Sequence, residues 1–164
     1  MSPTNGLVPA RLARLRLTAD PVREPNAPGE ADLYAHRALE LSPHDPECWA
    51  ARAKVLEQAG RLAGALEAMN RGSEQQPGDA SFWNDKGLLL LKIGSTNEAL
   101  QAFSRAIDLA SGWTNSARRT LAQALLNRGN LFKRLNRSAE AQADFLQAKG
   151  LLPRAPDTEP NLPR

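Results

Sequence analysis

The sequence is poor in several residue types that build cross-linked or membrane-embedded proteins. It has one cysteine, Cys48, in 164 residues, so it can form neither an internal disulfide nor a zinc site made of several thiolates. Aromatic residues make up 5% of the chain, which leaves alanine and leucine to fill most of a core. No apolar run approaches the roughly 18 residues that span a bilayer, so no membrane-embedded segment is expected.

Catalytic and metal-binding patterns are also missing. The sequence contains no glycine-rich phosphate loop, no HExxH motif and no Ser-His-Asp arrangement with supporting context. Its two histidines, His36 and His44, lie near Cys48, but a predicted helix end and Pro43 intervene, so we expect no metal site there. The sequence therefore predicts neither an enzyme nor a bound cofactor, and Cys48 is expected to pack as a small apolar residue.

The first 28 residues differ in character from the rest. They contain five prolines, which at that density prevent a long continuous helix, so we expect a mostly disordered lead with at most one short amphipathic turn. Arg11, Arg14 and Arg16 interrupt the leucines of 7–17, so this stretch lacks the apolar core of a secretory signal. An arginine-rich transit peptide is the alternative, but serine is almost absent. A cytoplasmic location is the resulting expectation.

Two tryptophans, Trp49 and Trp83, lie 34 residues apart and begin the same pattern. A period of this length is typical of stacked helical hairpins, so the chain is predicted to repeat one helix-turn-helix unit. The residues at matching offsets are Ala65, Met69, Gly72 and Pro77 after the first tryptophan, and Ala99, Phe103, Ala106 and Ser111 after the second.

Helix boundaries repeat with the same period. Asp45 and Asp79 are suited to helix starts, because an aspartate side chain accepts bonds from the first backbone N–H groups. Gly60, Gly94 and Asn136 fall at matching places and readily take the left-handed conformation that ends a helix. Together these signals predict helices at 29–41, 46–59, 62–75, 80–93, 96–109, 114–135 and 138–151.

The pattern resembles the tetratricopeptide repeat family, whose unit has Trp, Gly, an aromatic residue, then Ala, Phe, Ala and Pro at fixed offsets. The likeness covers 29–153. The central copy matches at Trp83, Gly87, Leu90, Ala99, Phe103 and Ala106. The first copy matches at Trp49, Leu56, Ala65 and Pro77, and the third at Leu125, Gly129, Phe132, Ala141, Phe145, Ala148 and Pro153.

This resemblance implies an all-α fold, a right-handed α-solenoid of antiparallel helix pairs with about three units. A half-repeat whose first helix is missing would precede them, at Ala31, Ala35, Ala38 and Pro43. The repeat domain would cover 29–153, between the lead at 1–28 and a disordered proline-rich tail at 154–164. The pattern positions of the third copy lie 42 residues after those of the second, which is eight more than the 34-residue period. Eight residues are about 12 Å of helix, so helix 114–135 should project about 12 Å beyond its neighbours.

In this family the first helices of successive repeats line a concave face that commonly receives an extended or helical peptide. Carried over residue by residue, the resemblance implies a protein–protein interaction module with an apolar middle and a basic flank in its groove. The binding residues would be Lys54, Asn84, Leu88, Leu91, Arg119, Gln123, Leu126, Asn130, Lys133 and Arg134.

The basic flank, formed by Arg119, Lys133 and Arg134, favours an acidic ligand, because arginine can hold a carboxylate with two hydrogen bonds. Some family members clamp the C-terminal carboxylate of heat-shock chaperones with Lys and Asn at set places. That constellation is absent here, which argues against this ligand; the corresponding places hold Ala50, Lys54, Asp85, Gln123 and Asn127.

Two other interpretations stay open. Residues 114–138 contain six basic residues and no acidic one, so a helical-repeat RNA-binding protein is the alternative function. Nucleic acid is less favoured as a partner, since the first two copies are acidic. A homodimer through the C-terminal repeat is a further hypothesis, because prolines after Leu152 prevent another long helix that would cover Phe145, Leu146 and Leu151.

Overall fold

The computed structural model describes residues 6–18, 26–110 and 114–151. Consecutive helices in these ranges pack as antiparallel hairpins, and each hairpin packs on the next to form a right-handed solenoid. The all-α solenoid expected from the sequence is confirmed. Its helices are α1 (Leu7–Arg16), α2 (Ala27–Leu41), α3 (Pro46–Gln58), α4 (Leu62–Gln75), α5 (Ala80–Ile93), α6 (Thr96–Leu109), α7 (Asn115–Arg134) and α8 (Ser138–Leu151).

Local capping sets where several helices begin and end. The Asp45 carboxylate accepts a hydrogen bond from the Glu47 backbone N–H at 2.9 Å, and Asp79 accepts one from Ser81 at 2.8 Å. Helix α5 ends at Gly94, whose φ of +92° lies in the left-handed region that glycine adopts without strain. The predicted starts of α3 and α5 therefore have the capping bonds that the sequence suggested.

The structure corrects the expectation of a disordered lead and of a repeat without its first helix. Helix α1 lies inside that segment and packs against α2 and α3 through Ala10 and Ala13, both fully buried. It is the first helix of the upstream repeat. Pro9 does not prevent it, because proline is tolerated in a first turn, where backbone N–H groups have no helical partner. The tail at 154–164 lies outside the described residues.

A close contact fixes the start of α1 to the end of α2. The backbone N–H of Gly6 donates to the buried Ser42 hydroxyl at 3.0 Å. A Cβ at Gly6 would lie 2.6 Å from the Ala38 carbonyl oxygen, closer than real Cβ atoms approach other atoms. Glycine is therefore required for this approach, and α1 is held in place at both its polar start and its alanine seam.

The two tryptophans lie in the seams between helices, as expected. Trp49 packs against the core between α3, α4 and α5, and Trp83 against the core of the next hairpin. Each indole N–H also donates to a loop carbonyl six residues earlier, Pro43 at 2.7 Å and Pro77 at 3.1 Å. The third copy has the fully buried Leu125 in this slot. Each tryptophan thus fixes the loop before its helix as well as filling space.

Helix α7 is longer than its counterparts, though by less than predicted. It has 20 residues, against 14 in α5, so it is about 9 Å longer rather than 12 Å. The helix begins only after Thr114, whose hydroxyl accepts the Ala117 backbone N–H at 3.1 Å. Part of the inserted sequence therefore lies before the helix start.

Within 6–18, 26–110 and 114–151, no helix is long and apolar enough to cross a bilayer. The cytoplasmic location stays a prediction.

Cys48 is fully buried in the seam of α1, α2 and α3, and burial raises the pKa of its thiol to about 11. The described part of the chain contains no cluster of side chains arranged to hold a metal ion.

Candidate functional site

The main candidate site is a cavity of about 580 Å³ on the face formed by the first helices of the hairpins. Helices α1, α3 and α5 form its walls, and Met69 of α4 forms part of its floor. Its surface is mostly apolar, with charged groups among the apolar ones. The apolar side chains are Leu17, Ala50, Ala53, Met69, Leu88, Leu89 and Leu91, and the charged ones are Arg14, Lys54, Glu57, Asp85 and Lys92.

One acidic side chain in this cavity neutralises two lysines. Glu57 accepts a hydrogen bond from Lys54 at 2.9 Å and forms a second ion pair with Lys92 across the groove. Burial alone would raise the pKa of Glu57, but the hydrogen bonds from Lys92 and Lys54 outweigh it, so the pKa is lowered. The triad joins α3 to α5 and leaves each ammonium half-exposed to the groove.

The second acidic side chain of the cavity, Asp85, is not neutralised in this way. No described cation lies within ion-pair distance of its carboxylate, which accepts one hydrogen bond, from the Asn84 amide at 3.4 Å. The walls of the groove displace much of the water around it, and this desolvation raises its pKa although the residue is exposed. The cavity therefore contains one paired and one unpaired carboxylate.

A chain of amides connects Asp85 to α7. Gln123 donates to Asn127 at 3.2 Å, Asn127 donates to Asn84 at 2.8 Å, and Asn84 donates to Asp85 at 3.4 Å. Asn84 is 7% exposed, so it lies beneath the groove surface and its carbonyl and amide are both in use. Sequence reasoning expected Asn84 and Gln123 to contact a ligand. In the structure Asn84 joins α5 to α7 through its bond with Asn127, whereas Gln123 is exposed and bonds Asn127 within α7, so its ligand contact stays a prediction.

The remaining predicted residues divide into two groups. Lys54, Leu88 and Leu91 line the cavity, as expected from the resemblance. The α7 side chains do not contribute to it: Leu126 is half-buried against the core between α6, α7 and α8, and four others are exposed on α7. Those four are Arg119, Asn130, Lys133 and Arg134.

Sequence reasoning missed the contribution of α1 to the site. Arg14 and Leu17 line the cavity, yet they fall in the segment expected to be disordered. The signal that could have identified them is the spacing of Ala10 and Ala13 among leucines and arginines, which gives a helix one small, buried face. Proline density in the flanking residues obscured it.

Comparisons with known proteins agree with this architecture. Family models described as tetratricopeptide repeat match residues 28–79, 51–113 and 122–153. Tetratricopeptide repeat protein 36 of Danio rerio is 32% identical over 94 residues, which are 57% of this chain and 48% of that protein. The chain thus spans about half the length of this curated relative.

Two solved structures illustrate the shared fold. The crystal structure of MamA has a TM-score of 0.69 at 16% identity and covers 92% of this chain and 80% of its own. The second TPR of Spaghetti (RPAP3), bound to the HSP90 peptide SRMEEVD, has a TM-score of 0.56 at 22% identity, with 66% and 93% covered. At these identities the likeness establishes the fold and nothing finer.

Proposed function

Because this chain belongs to the tetratricopeptide repeat family and is a protein–protein interaction module, we propose that it binds a peptide segment in its concave groove. The observation that carries the proposal is the apolar cavity of about 580 Å³ between α1, α3 and α5. Pockets of this size, with apolar walls and a few polar groups, are the usual form of a binding site. A binding role is proposed in preference to a catalytic one.

The groove offers one surface for an apolar side chain and another for acidic residues. Leu88 is 39% exposed at the cavity and can pack against an apolar anchor of the peptide. Arg119, Lys133 and Arg134 on α7 are exposed and form no ion pair with a described residue, so they can receive carboxylates. The peptide bound by the RPAP3 domain supports a peptide ligand by analogy.

A displayed library of random peptides tests the peptide-binding proposal. We expect wild-type protein to enrich peptides and Leu88→Glu to lose them, because a carboxylate would replace the apolar contact at the cavity. Leu33→Glu is the matched control, since Leu33 is 65% exposed on α2 and is not part of the cavity wall. Equal enrichment by both variants would contradict the proposal.

We also propose a homodimer through α8. In α6, Ser104 accepts a hydrogen bond from Arg128 of the following hairpin at 3.0 Å. Leu146 occupies the corresponding position in α8, where it is 63% exposed and no described hairpin follows. A second copy would bury it. Light scattering should give a dimer mass for wild type and a monomer mass for Leu146→Glu; a wild-type monomer at high concentration would contradict the proposal.

A further inference from the structure

We propose that Asp85 is a specificity-determining residue of the groove, which accepts a lysine or arginine side chain located beside the apolar anchor of the bound peptide. This inference rests on the proposed peptide-binding function. It assigns the cavity a ligand cation, in addition to the acidic residues expected to face α7. The predicted peptide therefore carries both signs of charge, with a basic residue next to its apolar anchor.

The first argument is the difference between the two carboxylates of the cavity. Glu57 has two lysine partners, whereas Asp85 has none among the described residues. Asp85 is exposed, so its carboxylate costs little when it has no ion-pair partner, but the groove walls exclude part of the water that would otherwise solvate it. A cation brought by the ligand would supply the partner that the chain itself does not.

The second argument is that the two cations that act on Asp85 through space already have other partners. Arg14 binds Glu47 at 3.3 Å, and Lys54 binds Glu57 at 2.9 Å. Both lower the pKa of Asp85 through space, but desolvation, the larger cause, still raises it. A ligand cation therefore need not compete with an existing ion pair at Asp85.

The third argument is that Asp85 is held in place. Its oxygen accepts from Asn84, which is itself fixed by Asn127 at 2.8 Å and, through it, by Gln123 of α7. An acceptor that is already positioned loses less side-chain entropy when a ligand binds. Leu88 lines the same cavity, so the anchor and the cation of the peptide would contact neighbouring residues of α5.

The test uses a displayed library of nine-residue peptides with a fixed central leucine and random flanks. We expect wild-type protein to enrich lysine or arginine near the leucine, and Asp85→Asn to lose that enrichment while it keeps the leucine-containing peptides. Glu67→Gln is the control, an exposed carboxylate on α4 outside the cavity wall. Its selected sequences should match those of wild type.

Fluorescence anisotropy with the most enriched peptide then measures the contact itself. Replacing the peptide lysine by glutamine should weaken binding to wild type about tenfold, and binding to Asp85→Asn hardly at all, as for one charge-assisted hydrogen bond. Equal losses with both proteins, or enriched peptides without a basic residue, would overturn the inference while peptide binding stands. If wild type enriches no peptide, the proposed function fails and the inference fails with it.

Discussion

The cavity between α1, α3 and α5 and the exposed face of α7 are both rich in basic side chains, but they neutralise them in different ways. At the cavity, the acid lies in the groove: Glu57 is 13% exposed and pairs with Lys54 and Lys92, which stay beside it. Part of the positive charge of these lysines is therefore balanced within the cavity itself. The cavity therefore contains both positive and negative side chains that pair with each other.

Near α7 the acids that pair with arginines belong to α8. Asp144 of α8 is buried and binds Arg128 through two hydrogen bonds, at 2.8 and 2.9 Å, while Glu140 pairs with Arg137. The Arg128 pair joins α7 to α8 and is largely buried, whereas the Arg137 pair is local to the start of α8 and exposed. The basic side chains without an ion pair to a described residue are Arg118, Arg119, Lys133 and Arg134.

The difference teaches that a charge count along a repeat does not give the charge of its binding surface. Six basic residues between 114 and 138 suggested a strongly basic face, yet Arg128 and Arg137 are paired with α8. The family resemblance placed Lys54 among possible ligand contacts without revealing its partner Glu57, which Lys54 shares with Lys92. Only the packing of hairpins decides which cations remain available.

The largest expected effect on stability comes from removing the carboxylate of Asp144. Asp144→Ala would leave Arg128 half-buried without its bidentate partner, so we expect a loss of about 3–5 kcal/mol in the free energy of unfolding. Glu140→Ala is the control, because its pair with Arg137 is exposed and should contribute little. Urea unfolding followed by circular dichroism measures both. Similar losses would mean that the buried Arg128–Asp144 pair contributes no more than the exposed Arg137–Glu140 pair.

The next effect concerns how closely each hairpin packs. A Cβ at Gly129 would lie 2.7 Å from the Phe145 ring, so Gly129→Ala should lower the free energy of unfolding by about 1–3 kcal/mol. Gly150→Ala, in open space on the same hairpin, should instead raise it by up to about 1 kcal/mol. Thermal unfolding measures both signs; the same sign for both would contradict the packing argument.

The α3–α4 hairpin suggests how the stability lost by Gly129→Ala could be recovered. In α3–α4 the glycine slot is Ala53 and the phenylalanine slot is Met69, and both are buried in one cluster. Adding Phe145→Met to Gly129→Ala would copy this pair, because methionine adapts its shape to a neighbouring Cβ. We expect the double variant to recover part of the stability lost by Gly129→Ala.

Binding to acidic peptides would distinguish the cavity from the exposed face of α7. Lys133→Glu with Arg134→Glu should weaken binding about tenfold or more and reduce its dependence on salt, since these cations have no described ion-pair partner. Lys54→Gln should weaken peptide binding less, because the charge of Lys54 is already partly balanced by Glu57. In the variant Glu57 would still pair with Lys92. Anisotropy at two salt concentrations measures this. Equal effects would remove the contrast between the two surfaces, and tight salt-dependent binding to RNA instead would favour the alternative function.

The features predicted correctly from the sequence are those that depend on helix capping and on the repeat period. Capping aspartates and left-handed glycines placed the starts and ends of α3 and α5 to within one residue, and the 34-residue period predicted the solenoid. The family resemblance placed Lys54 and Leu88 on the face where the cavity lies. These features depend on neighbours within a few residues or on one exact period of the chain.

The rest depends on contacts between distant segments. Helix α1 was missed because its stability comes from burying Ala10 and Ala13 against α2 and α3, which local proline content does not reveal. Asn84 was assigned to the ligand, yet it lies under the surface because Asn127, 43 residues later, takes its carbonyl. The ligand contacts assigned to residues of the cavity and of α7 stay predictions.

The smallest effect, and the one that separates the two cavity carboxylates, is the pH dependence of stability. The pKa of Asp85 is raised in the folded protein, first by desolvation, so the folded state holds that proton more tightly than the unfolded state does. Stability should therefore fall as pH rises from the ordinary aspartate range through the raised pKa. Asp85→Asn should match wild type in acid and become slightly more stable above that range.

Glu57 gives the opposite sign and so provides the matched comparison. Its pKa is lowered, because hydrogen bonds from Lys92 and Lys54 outweigh burial, so its stabilisation is present above the unfolded pKa and is lost as pH falls through the folded one. Glu57→Gln should thus be less stable than wild type at neutral pH, with a difference that shrinks in acid. Urea unfolding between about pH 3 and about pH 7 spans both carboxylates. If Asp85→Asn is destabilised at neutral pH like Glu57→Gln, Asp85 serves the fold rather than a ligand, because a carboxylate kept for a ligand's cation should cost the unbound protein stability.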